Sequence, residues 1–400
     1  MGAVEGRSLP GGGGMRALTW MFCLLAIPAA VALGSGSPYQ EAGRFFAQSF
    51  ATHALGMNPQ NWDVAQDTLG LIYVGNTEGL YQYDGVRWRH IPVRGKSIVR
   101  ALHLDREGRI LVGTHADFGY LTPDSAGSPV FHSLLAGLHE PAGGFGDIFD
   151  ICETSQGAYF RAPERIFRWS RGAIRAWESA GEHEEFSGCF AVGDVCYVNQ
   201  AGRGLCQMAG DSLALVPGGE QFTDGDITVM LPASGGRILV GTRLHGAYWF
   251  DGAGFVPLAG SVHSLLKAKQ IYDGALLADG QFALATLRGG VLILDAQGAL
   301  LRVEDKSTGL INDMVLGVFT DREGALWVAS DDGITRLELP SPLTQFGEAD
   351  GIRGSVEAIT RHRRVLYLAT SWGVYRSRSG EGRLTLSAGA SQCPKGSNSS

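Results

Sequence analysis

The side chains best suited to chemistry recur at one point of a repeated phrase, just after a short apolar run. They are Asn76 and Glu78, His115 and Asp117, Arg161, Arg243 and His245, Arg288, Asp331 and Asp332, and Ser371 and Trp372. Amides, carboxylates, imidazoles and guanidiniums gathered in one concavity bind polar or anionic small molecules, such as a saccharide fragment or a carboxylate. Trp372 adds a flat face on which a sugar ring can stack. A second set precedes the apolar runs: Gln60, Asn61, Asp147, Asp226, Gln270, Asn312 and Asp313. Each of these residues also has an ordinary structural use, because Asp and Asn in turns cap local backbone.

Catalysis needs a general base and acid on the same face. His115 with Asp117, or His245 near Arg243, could supply such a pair. The 10 histidines are otherwise scattered, with no HxH pair and no HExxH. No GxSxG nucleophile elbow occurs. Gly11–Gly14 precedes no helix and does not read as a phosphate loop. The residues therefore favour binding over catalysis; no cofactor or metal is expected.

What positions these side chains is a phrase repeated along the chain. QDTLGLIYVGNTEGL (66–80), LDREGRILVGTHADFG (104–119) and TDREGALWVASDDGI (320–334) show it plainly. Degenerate copies occupy 152–166, 192–205, 233–247, 278–291 and 362–374. The turn glycine recurs at Gly70, Gly108, Gly157, Gly193, Gly236, Gly280 and Gly324, whereas the eighth copy turns at about Arg363–Arg364 without one. Strand cores such as IYVG, ILVG and LWVA are rich in β-branched and aromatic residues, and the glycines permit hairpin turns. A period of roughly 40 residues carrying four short strands is the signature of an all-β propeller. A β-helix rung is shorter, and a β-sandwich has no reason to repeat one phrase. The 58 glycines among 400 residues suit the many tight turns. No long amphipathic helix is evident after residue 45. In a propeller the turn between the second and third strands of a blade shares a face with the linker between blades. Both sets of polar residues therefore converge on one rim of the central channel.

A net charge of −7 argues against a nucleic-acid-binding surface. Met15 and Arg16 precede the apolar run 17–33 and the small residues Gly34 to Ser37, which together read as a signal peptide with Met15 as the start. An uncleaved anchor is the alternative. Cys23 lies inside that run as apolar filler. Export would permit disulfides among the remaining cysteines. A hairpin at Val192-Gly193 would oppose Cys189 and Cys196, and a turn at Ala201 would oppose Cys196 and Cys206. Alternatively all are small buried strand residues. Trp88, Trp169 and Trp249 read as packing between blades.

The phrases WDVAQDTLGLIYVGNTEGLYQYDGVRW (62–88), FTDREGALWVASDDGITRLELPSPLTQF (319–346) and RVLYLATSWGVYR (364–376) resemble the two-component-regulator propeller repeat of bacterial ligand-binding sensors. The resemblance covers roughly residues 45–390. It implies a periplasmic propeller region, often two successive seven-bladed propellers. A β-sandwich with three tyrosines, a membrane helix and a cytoplasmic output module would then follow. Here the chain stops at Ser400 after an eighth repeat, so the resemblance implies a sensor truncated before that sandwich and output.

The expected organisation is a signal peptide with an upstream extension (1–37), a seven-bladed propeller (45–340), an eighth repeat (341–386) that could open a second propeller, and a disordered tail (387–400). Closure of all eight blades is the alternative. The expected function is extracytoplasmic sensing of a small polar or anionic ligand, saccharides included, in a signal-transduction regulator, without enzymatic activity and without nucleic acid as a partner. The rivals are a secreted lyase of the streptogramin-lyase type and a stand-alone exported protein-binding propeller.

Overall fold

The computed structural model describes residues 43–93, 97–135, 144–179, 184–339, 341–363, 365–377 and 384–386. The expected leader, the polar tail and Cys393 lie outside these residues. Among the described residues, no helix is long and apolar enough to cross a membrane.

Eight four-stranded antiparallel sheets follow one another along the chain, each a blade of a β-propeller. Blades 1 to 6 are the meanders 61–91, 99–133, 150–178, 186–215, 227–257 and 271–304. Blade 7 takes three strands from Val315–Thr320, Leu326–Ser330 and Gly333–Leu337, and its outer strand, Ala47–Ala51, from the start of the chain. Ala47 pairs with Leu337, and Ala51 with Gly333. Blade 8 is the meander 356–386.

The repeated phrase builds the first hairpin of each blade. Its acidic residue caps the turn: Asp67 Oδ1 accepts from the Leu69 and Leu71 amides at 2.8 and 2.9 Å, and Asp105 Oδ1 does the same for Glu107 and Arg109. The glycine three residues on takes the left-handed region, with φ of 93° at Gly70 and 85° at Gly324. A Cβ strains that conformation. In blade 8, where the glycine is missing, Arg363 adopts φ 47° instead. The aromatic side chain of the second strand then returns to the turn acid. Tyr73 Oη donates to Asp67 at 3.0 Å, and Trp327 Nε1 donates to Asp321 at 2.9 Å.

The apolar core lies between blades. Leu80 and Ile91 of blade 1 meet Val99 and Val112 of blade 2, and the same sandwiching continues blade by blade to Val291 of blade 6 against Val328 of blade 7. A further cluster joins Trp327, Ala329 and Ile334 of blade 7 to Val64, Val74 and Tyr83 of blade 1. The ring is thus closed by seven blades. Each cluster removes a near-continuous apolar strand face from water, at about 25 cal/mol per Å². Blade 8 has only a small core of its own, Ile352, Leu368 and Tyr375 with Phe346 and Leu366. Trp169 stacks on Tyr120 of the preceding blade at 5.2 Å, and Trp249 meets Phe282 of the next, which is inter-blade packing.

One feature adds to the sequence reading and another corrects it. A nine-residue helix, Ser261–Lys269, links blades 5 and 6. Its buried Leu266 joins the cluster containing Ala247 and Leu258, a packing partner that periodicity over so short a segment does not reveal. The cysteine registers also differ. Cys189 faces Val198 and Cys196 faces Ala191, while Cys206 faces Val198. Both hairpins turn one residue later than expected, at Gly193-Asp194 and around Gly202, and each one-residue shift offsets the thiols by two.

Candidate functional site

In seven of the eight blades, all but blade 3, the linker and the turn between the second and third strands are tied by a backbone hydrogen bond on one face. Examples are Thr77 to Gln60, His115 to Ile98, Arg243 to Asp226, and Leu287 to Gln270. The two polar sets therefore do share a face, although most of their side chains serve the backbone. Asn76 and Asn61 are buried and bonded to each other at 2.9 Å, and Asn61 also donates to the Ser330 carbonyl, sealing blade 1 against blade 7. Asp117 is buried and accepts from the Phe118 amide and Ser133. Asp313 caps Lys306, and Asn312 donates to Asp332. Glu78 and Arg288 are exposed. Asp331 is partly buried and its carboxyl is raised by burial. Trp372 is 66% exposed, on blade 8, outside the closed ring.

The histidines find carboxylates other than the expected partners. His115 Nδ1 meets Asp147 at 2.6 Å rather than Asp117, whose side chain turns inward. His245 pairs with Asp224 and lies 3.8 Å from Asp226. Two sets of described side chains bring three ligand-type atoms within 4.8 Å of one another: Asp224, Asp226 and His245 at the rim, and the buried Cys152, Cys189 and Cys196.

The concavity itself is a basin of about 470 Å³ at the mouth of the central channel. Of the expected residues only Arg161 and Arg243 line it. The rest of the wall comes from a β-bulge repeated in the innermost strands. The register shifts between Asn61 and Asp63, Val99 and Ala101, Phe186 and Gly188, Ile227 and Val229, Ile271 and Asp273, and Val315 and Gly317. Each shift leaves one extra residue: Trp62, Arg100, Ser187, Thr228, Tyr272 or Leu316. All six line the basin. A bulge re-aims side chains out of the alternating register, which here means into the channel mouth. The sequence carries a signal for this position. Trp62, Arg100, Thr228, Tyr272 and Leu316 each stand at the same step before their turn glycines, Gly70, Gly108, Gly236, Gly280 and Gly324.

Cations and rings alternate around the wall. The Arg100 guanidinium lies 4.1 Å from the Trp62 ring and 5.0 Å from Phe149, and it is paired with Asp147. Arg161 lies 4.9 Å from Phe149, donates to Asp150 at 2.7 Å and reaches the Phe186 carbonyl. Arg243 lies 5.6 Å from Tyr272. Among the described residues it has no carboxylate within ion-pair distance, and it is exposed.

Three carboxylates stand deeper, at one equivalent position of blades 1, 3 and 6. Asp63, Asp150 and Asp273 each accept from an inner-strand amide of the next blade: Leu102 at 2.7 Å, Cys189 at 3.1 Å and Val318 at 2.8 Å. They satisfy strand-edge donors that line the channel. Burial pushes the Asp63 carboxyl well above the usual range, helped by the Asp273 charge, and burial raises Asp273 to about 6. The basin is thus cationic and aromatic at its wall, above the Asp63 and Asp273 carboxyls, which ionise reluctantly.

Fold and basin together define an all-β propeller with a ligand-sized cup on its channel mouth. No protein-family model and no curated protein sequence matches the chain. Among solved structures it is similar to the extracellular domain of a hybrid two-component system from B. thetaiotaomicron, with a TM-score of 0.62 and 17% identity over 86% of this chain and 49% of that one. It is also similar to the extracellular domain of a one-component system from that organism (TM-score 0.57, 14% identity, 86% and 48% covered). A streptogramin B lyase matches less of this chain, with a TM-score of 0.56 and 11% identity over 74% of it and 98% of the lyase. At these identities the likeness is one of fold. The chain spans about half the length of the two extracellular domains.

Proposed function

We propose that this chain is the extracytoplasmic, non-catalytic sensing region of a bacterial signal-transduction regulator, and that its basin takes a small anionic ligand such as an acidic saccharide. The observation that carries the reading is Arg243: an exposed guanidinium on the basin wall with no carboxylate partner, beside Tyr272 and across from two stacked arginines. Asp226 acts on Arg243 only beyond ion-pair distance; a carboxylate ligand would supply a direct ion-pair contact, and Trp62, Phe149 and Tyr272 would cover its apolar faces. The similarity in fold to extracellular domains of two- and one-component systems supports the regulatory context. Export through the N-terminal apolar run belongs to the same proposal.

Blade 8 fits this reading as the opening blade of a second propeller. Its first strand, Val356–His362, is exposed throughout, although the equivalent strands of blades 1 to 7 are almost wholly buried or half-buried. Val356 and Ile359 are 47% and 65% exposed, as residues awaiting a neighbouring blade would be.

The fold likeness to streptogramin lyases is the ground for an enzymatic alternative. That alternative places an acid and a base in the cup, yet no histidine lines it. The test is a thermal-shift screen of acidic saccharides, each beside its neutral counterpart. Acidic members should raise the melting midpoint of the wild-type chain and leave Arg243→Ala unmoved. Equal shifts in both proteins would refute the assignment. Turnover of any candidate that survives replacement of both His115 and His245 would remove those histidines as its acid and base.

A further inference from the structure

Four buried cysteines lie in blades 3 and 4, and three of them form one cluster. Cys152 Sγ is 3.4 Å from Cys189 Sγ, and Cys189 Sγ is 3.7 Å from Cys196 Sγ. The two contacts differ in kind. Cys189 and Cys196 belong to neighbouring strands of one sheet, but Cys189 faces Val198, so Cys196 stands on its diagonal. Diagonal positions in an antiparallel pair are about 7–8 Å apart between Cα atoms. A disulfide spans at most about 7 Å. That pair therefore closes only if the backbone moves.

Cys152 comes from the innermost strand of the preceding blade, Asp150–Thr154. Asp150 and Cys152 share a face of that strand, since side chains two apart point the same way. Asp150 Oδ2 holds the Cys189 amide at 3.1 Å. This carboxylate–amide contact fixes the register between the two blades and sets the Cys152 thiol against the Cys189 thiol. Cys206 faces Val198 from the other side, and its nearest polar contact is the Gly204 carbonyl.

We infer that, under oxidising conditions, Cys152 and Cys189 form a disulfide that staples blade 3 to blade 4, leaving Cys196 and Cys206 as thiols. The two S–H groups lose two protons and two electrons and one S–S bond forms. A disulfide-bearing oxidant such as oxidised glutathione takes up the electrons and is reduced to two thiols. The inference stands apart from the ligand reading, because the staple lies between blades and its formation needs no ligand.

The test uses the full chain made in a bacterial host with an oxidising cytoplasm, quenched with N-ethylmaleimide and digested without reductant by trypsin and Asp-N. Cleavage before Asp150 and Asp194 separates the three thiols onto peptides 150–161, 176–193 and 194–203. The expected result is peptide 150–161 linked to 176–193, with 194–203 carrying one alkyl group. The same link should form in Cys196→Ser and vanish in Cys152→Ser. If 194–203 is linked to 176–193 or to 150–161, or if all three peptides are alkylated, the inference is overturned.

Discussion

At the scale of single residues, the site is organised by what each charge already touches. Arg100 and Arg161 are held by Asp147 and Asp150, so truncating them removes the cationic partner of a carboxylate; Arg243 has no such tie. Arg161→Ala should therefore destabilise the chain by about 1–3 kcal/mol, measured by urea denaturation, whereas Arg243→Ala should leave stability unchanged. Asp273 behaves in the opposite sense to an ordinary salt-bridged carboxylate. Its folded-state value is raised to about 6 by burial, so between pH 4 and 6 the folded chain binds more protons than the unfolded chain. Stability contributed by this group is greatest at the acidic end of that window and is lost as pH rises through 6. Asp273→Asn should raise stability at pH 7 by on the order of 1–2 kcal/mol and have little effect at pH 4.5. A variant equally stabilised at both values would contradict the assignment.

At the scale of elements, the blade hairpin was legible in the sequence and the channel wall was not. The turn acid, its glycine and the strand core are local features. Asp67, Gly70 and Tyr73 interact within one hairpin, so their spacing encodes their contact. The polar turn residues were placed on the correct face for the same reason. Their side chains went elsewhere because inter-blade neighbours decide their fate: Asn61 is captured by Ser330 across the ring closure, and His115 by Asp147 from the next linker. The bulged residues were missed because alternation assigns them to the wrong side, and only the register shift turns them into the cup. The closing strand makes a separate point. Phe50 lies 5.1 Å from Tyr83, 5.4 Å from Trp88 and 6.1 Å from Trp327, joining blade 7 to blade 1. Phe50→Ala should cost about 2–3 kcal/mol by chemical denaturation; a loss below the error of that measurement would mean that the closing strand contributes little.

At the scale of the molecule, seven blades share a continuous ring of inter-blade cores and blade 8 stands on a small core of its own. Ending the chain before residue 341 should leave the melting midpoint of the ring unchanged and lower its tendency to self-associate, because the exposed edge of Val356–His362 is removed. Removing residues 43–51 should instead lower the midpoint sharply, since the outer strand of blade 7 is lost; calorimetry and light scattering on the two truncations distinguish these outcomes. Under the proposed function, the ring holds one cationic, aromatic cup at the channel mouth. The most direct measurement is titration calorimetry of an acidic saccharide found in the screen, at pH 7, against the wild-type chain and Arg243→Ala. Binding should weaken by roughly 10- to 100-fold in the variant, the size of one lost charge-assisted contact, and the neutral counterpart should bind neither protein. Unchanged affinity in Arg243→Ala, or equal binding of the neutral counterpart, would contradict the proposed function.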